Sequence, residues 1–133
     1  MAVTNLANES IYVDTSLDSI TIRNDIAGVI GGATLDVTGF DPKIIKSGHV
    51  VIKETTTGVY KPMPLNTAGD EYDTLPAGHT IEGVVRISTL ASKPMVGIMY
   101  NGEVNEVTSP YPVTPAIKAG LPLIKFAKDE RKG

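Results

Sequence analysis

Residues 80–107 read TIEGVVRISTLASKPMVGIMYNGEVNEV, and their pattern decides the fold class. Ile81, Val84, Val85 and Ile87 make an apolar run with polar interruptions. Val96, Ile98 and Tyr100 then alternate with Gly97 and Met99, the two-residue period of a strand. Leu90 to Pro94 predicts the turn between these runs. Asn101-Gly102 is a tight-hairpin signal, because both residue types tolerate positive φ, and Val104 and Val107 are expected to return to the core on the next short strand. Such dense strand and turn signals favour a barrel or sheet-based module over a helical bundle.

Toward the N-terminus, residues 66–80 form the clearest long connection, rich in Asn, Thr, Gly, Asp and Glu and closed by LPAGH. Exposed loops of this length are common places for partner contacts. Before it, Ile44-Ile45 and the Ser47-Gly48 turn lead into HVVIKE. The polar stretch Thr55 to Gly58 and VYKPM then predict a two-strand ribbon centred on Thr56 and Thr57. Pro62 and Pro64 remove backbone donors, so this segment suits a sheet edge. The stretch IAGVIGGATLDVTGF, residues 26–40, predicts a bend between two short strands at its glycines. Leu35 and Val37 alternate with Asp36 and Thr38 until Gly39 and Asp41-Pro42 stop the run. In the first 24 residues, Ile11, Val13, Leu17, Ile20 and Ile22 offer short strand-like contacts separated by turn formers.

Toward the C-terminus, Pro110, Pro112 and Pro115 stiffen the chain. Thr114-Pro115 caps and opens a short helix through Ala116 to Ala119, which Gly120 ends. Leu121, Leu123, Ile124 and Phe126 supply a last apolar strand, and KDERKG closes the sequence as a polar tail. The 133 residues suit one domain. Its divisions are residues 1–24, an N-terminal arm or an edge segment of the same domain, residues 25–127, a β-rich body, and residues 128–133, the tail.

Twelve Lys and Arg against 15 Asp and Glu give a net charge of −3, without the basic footprint of a general nucleic-acid binder. There is no cysteine, which removes disulfide and thiol chemistry. No apolar run approaches membrane-spanning length, so no membrane partner is expected. The glycines around Gly31 match neither the Walker pattern nor the dinucleotide fingerprint. Asp70, Glu71 and Asp73 lack EF-hand spacing and read as a solvated loop. His49 and His79 follow Gly48 and Gly78 in similar contexts, but no metal-ligand spacing supports them, and they read as structural. Ser47 and Ser88 lie in no nucleophile elbow. No residue is therefore assigned to catalysis, a cofactor or a metal, and a structural or binding module is expected.

The stretches GHVVIKETTTGVYKPM, AGHTIEGVVRIS and PMVGIMYNGEVNEV, with the later IKAGLPLIKF, resemble head decoration or head fibre proteins of tailed bacteriophages, including the lambda-type capsid decorators. The resemblance spans roughly residues 28–127. It implies a mainly β fold, a small β-barrel or β-tulip-like decoration domain with one short C-terminal helix and an extended N-terminal arm. It also implies a virion location on the exterior of the capsid head, with the major capsid protein as partner. A homotrimer at local threefold positions would clamp neighbouring shell subunits through several modest contacts. Candidate contact residues are Ile11, Tyr12 and Val13 in the arm, with Val96, Ile98, Tyr100 and Asn101 in the body. Two other functions remain open: a virion fibre or surface module that binds a host or environmental glycan, and a small hydrolase built around His79.

Overall fold

The structure, a computed structural model, describes residues 21–128. Ile11, Tyr12 and Val13, with the rest of residues 1–20, and residues 129–133 of the tail lie outside the described residues. The elements in chain order are β1 (Ile22–Gly28), β2 (Ala33–Thr34), β3 (Ile44–Ile45), β4 (Val50–Glu54), β5 (Tyr60–Pro62), β6 (His79–Val85), β7 (Thr89–Leu90), β8 (Met95–Val96), β9 (Ile98–Asn105), α1 (Pro115–Gly120) and β10 (Ile124–Ala127).

One mixed sheet runs β10-β9-β6-β4-β5, and β1 also pairs with β9. The β9–β10 pairing is parallel, whereas the other pairings are antiparallel. Met99 pairs with both Gly28 and Val84, and Gly102 with both Asp25 and Ile124. β1 therefore occupies one edge of β9, while β6 and β10 share the other. Two small ribbons, β2–β8 and β3–β7, stand apart from this sheet.

Consecutive residues of the central strands serve opposite faces. Val50, Ile52, Val84, Met99 and Val104 join one buried cluster with Met63, Tyr72, Ile117, Leu121 and Ile124. Val51, Val85 and Ile98 join a second cluster with Leu35, Ile45 and Val96. The first face is covered by α1 and the loops around Tyr72 and Tyr111, the second by the two ribbons and the segment 35–40. Each such Val or Ile contributes about 1.5–3 kcal/mol on burial.

This two-sided burial corrects the expected small β-barrel or β-tulip-like closure: among the described residues no sheet closes. Runs such as Val50-Val51-Ile52 and Val84-Val85 are apolar on both sides of the pleat, the signature of a strand covered on both faces. Closing the sheet would enclose one apolar face and leave the other to be covered anyway. Layers on both sides solve the problem, and β5, β10 and β1 are the sheet's edges among the described residues. Pro62 sits on the β5 edge, where its missing donor costs no ladder bond.

The hairpin expected at Asn101-Gly102 is also corrected. Both residues lie inside β9, at shifts of register against β1. A side chain at Gly102 would collide with the Asn24 carbonyl and the Met99 thioether, so glycine serves close strand approach here rather than a turn. The irregularity also changes the strand's parity, bringing Met99 and Val104 to the same face although five positions separate them.

Three local expectations hold. β4 and β5 form the ribbon around Thr56 and Thr57. The bend after β1 is made by Gly31 and Gly32, both at positive φ (77° and 68°). Thr114 caps α1, its hydroxyl accepting the Ile117 amide at 3.3 Å, with Pro115 in the first turn.

Candidate functional site

Two surfaces combine concavity with side chains suited to contact. The first is a shallow depression lined by Gly31 to Thr34, Arg86 and Met95 to Gly97. Backbone bonds assemble its walls around the 94–98 segment. Thr34 pairs with Met95, the Arg86 amide donates to the Gly97 carbonyl at 2.9 Å, and the Val29 amide donates to the Ile98 carbonyl at 2.9 Å. Met95, 76% exposed, lines the depression, and Ile30 and Ile87, 99% and 66% exposed, adjoin its lining residues Gly31 and Arg86 in the chain.

Arg86 stiffens the floor. Its Nε lies 2.6 Å from Asp25 Oδ2, an ion-pair contact without hydrogen-bond alignment, and its Nη2 donates to Asp25 Oδ1 at 3.2 Å. The guanidinium lies over Gly28 and beside Gly97, where side chains would meet it. The half-exposed pair ties β1 to the end of β6, and its net contribution is no more than about 1 kcal/mol.

The expected contact residues divide on this frame. Val96 lines the depression but is buried, and Ile98 belongs wholly to the core. Tyr100 is 41% exposed on β9, and Asn101 is half-buried beside it. Ile30 and Met95 carry no contact signal in the sequence, and Ile87, expected in the apolar strand run with Val85, lies beyond the end of β6 and is exposed. Of the three only Met95 lies in a ribbon, through a pairing with Thr34 that no local pattern encodes.

The second surface is a cleft of about 600 Å³, lined by residues 36–42, by Lys61 and the following loop to Gly69, and by Pro76 and His79. The Lys61 ammonium donates to Glu54 Oε1 at 3.1 Å and to His79 Nε2 at 3.1 Å. An ammonium has no acceptor, so Nε2 is the unprotonated ring nitrogen and Nδ1 donates to the Ala77 carbonyl at 2.9 Å. The bond from Lys61, then that from the Thr56 hydroxyl, holds the Glu54 carboxyl below its ordinary range. Asp36 is held low in the same way by the Thr38 hydroxyl and amide, with Lys61 adding a smaller attraction.

His49 plays a different part. It is buried, and its ring meets Phe40, Tyr72 and Tyr111 edge-on at 5.2, 5.2 and 5.6 Å. Nε2 lies 3.1 Å from the Met63 carbonyl and must carry the proton there. Burial pushes its pKa down to about 4, against the opposing pull of that carbonyl. Tyr72 is likewise kept protonated by burial, and its hydroxyl accepts the Val50 amide at 3.1 Å. This aromatic junction joins the two cores. Ser47 is spent on the backbone, its hydroxyl donating to the Arg86 carbonyl at 2.7 Å, while its amide donates to Ser88 Oγ at 2.9 Å.

Among the described residues, no group of three or more His, Asp or Glu side chains is arranged to hold a metal ion. In the 66–73 loop, Asn66 instead bonds the Gly69 amide and the Asp70 carboxylate, at 2.8 and 3.0 Å. No family model, curated protein or solved structure matches this chain.

Proposed function

We propose that this chain is a non-enzymatic capsid decoration protein that binds the exterior of a bacteriophage head and stabilises contacts between major capsid subunits. The observation that carries the reading is the exposure of Ile30, Met95 and Ile87 around the shallow depression at β8. Apolar side chains at and beside a concave surface gain free energy when a partner covers them, and the Asp25 carboxylate already positions the Arg86 side chain that lines it. The sequence resemblance gives the partner class, and a homotrimer at local threefold positions would multiply a modest interface into stable attachment.

Co-sedimentation with purified mature-like heads tests the reading. Saturable pelleting is expected, weakened by Ile30→Ser with Met95→Gln. Absence of pelleting, or pelleting indifferent to both substitutions, would reject docking through this surface.

A further inference from the structure

We propose that the cleft walled by residues 36–42 and 64–69 is a second binding site, for a neutral, hydroxyl-rich ligand such as a short oligosaccharide. The Asp36 carboxylate and the Lys61 ammonium are its recognition pair. The Asp36 amide donates to the Tyr60 carbonyl at 2.9 Å, which sets Asp36 beside Lys61 on the cleft wall. Both groups already hold hydrogen bonds within the protein. Asp36 Oδ1 takes the Thr38 amide at 3.1 Å and the Thr38 hydroxyl at 2.6 Å, so Oδ2 remains an acceptor. Lys61 places two of its N–H groups on Glu54 and His79, leaving the third as a donor.

An acceptor and a donor on the same cleft wall, without an ion pair between them, suit neighbouring hydroxyls of a sugar, one donating to the carboxylate and another accepting from the ammonium. Charge narrows the class further. Asp36 and Asp41 repel an anion, and Lys61 opposes a cation placed on Asp36, so a neutral ligand meets no net penalty. Phe40, Leu65 and the cleft prolines offer apolar surface to the C–H face of a sugar. The volume of about 600 Å³ lies within the range of small-ligand sites.

This site shares no lining residue with the depression at β8, so the two proposals fail independently. The test is an amide chemical-shift titration of the full chain. The probes are cellotriose, mannotriose and the N-acetylglucosamine trisaccharide, with citrate and spermidine as charged controls. At least one trisaccharide at millimolar concentration should move the amides of Gly39, Thr67 and Gly69 while leaving Gly31 and Gly97 in place. Asp36→Asn and Lys61→Met should each weaken that binding about tenfold or more, the loss expected for a charged hydrogen bond, with the melting transition showing that each variant is folded. Neither substitution should alter pelleting with heads. Shifts produced only by citrate or only by spermidine, no shift with any trisaccharide, or binding indifferent to both substitutions would each overturn the proposal.

Discussion

The two faces of the central sheet are finished differently. Among the described residues, α1, Tyr72, Tyr111 and the flanking loops close a cluster of ten buried side chains on one face. On the other, six described buried side chains are covered by two-residue ribbons and the segment 35–40. The first layer also leaves apolar residues at the surface, Leu75 beside Tyr72 and Leu123 between α1 and β10, though less exposed than those of the second. The second spends its few inward positions on the sheet, and its neighbours Ile30, Met95 and Ile87 are left in solvent. The second face thus carries the more fully exposed apolar side chains, while its inward positions remain buried.

Val84 and Val85 give the sharpest comparison, since they are adjacent on β6, equally buried, and belong to opposite clusters. Val84→Ala should cost about 3 kcal/mol and Val85→Ala about 2 kcal/mol, because the thin layer can settle into the space more easily. Urea denaturation of both variants reads the difference. Equal losses would show that the two layers are equally rigid.

The junction between the faces makes an acid-sensitivity prediction of similar size. His49 has its folded-state pKa depressed from 6.5 to about 4. As pH falls below 6.5 the unfolded chain takes up the proton first, so stability present above that value is lost on the way down to about 4. The loss approaches about 3 kcal/mol. Denaturant midpoints across this window should fall for the native chain and fall much less for His49→Phe. Parallel curves would remove His49 from the acid response.

A smaller effect is expected at the helix on the thick face. Thr114→Ala deletes the bond to the Ile117 amide and should cost about 1 kcal/mol. Thermal melting checks it, and an unchanged midpoint would mean that α1 is held by Ile117 and Leu121 alone.

Much of this arrangement is legible in the sequence where the signal is local. The Thr114-Pro115 cap, the ribbon around Thr56 and Thr57 and the edge role of Pro62 each rest on the chemistry of one or two residues. The errors arise where local chemistry has two uses. Asn101-Gly102 carries the residues of a tight turn, yet the same glycine permits Asn24 and Met99 to crowd β9. Val50-Val51-Ile52 reads as strand in either architecture, and only the covering layers decide between a closed and an open sheet. Asp36 and Lys61, far apart in sequence, come to line one cleft through the Asp36–Tyr60 backbone bond, which no periodicity foretells.

The smallest expected effect on stability falls on the exposed residues of the thin face. Ile30→Ser with Met95→Gln should change folding stability by less than about 0.5 kcal/mol, since both side chains are already in water. The same pair should strongly reduce attachment to heads. Imaging of mature-like heads mixed with the native chain and with this double variant tests the docking claim most directly. Added density at local threefold positions, with the 94–98 segment against the shell and greatly reduced occupancy for the variant, is the predicted result. Density at tail fibres, no added density, or native occupancy by the double variant would contradict it.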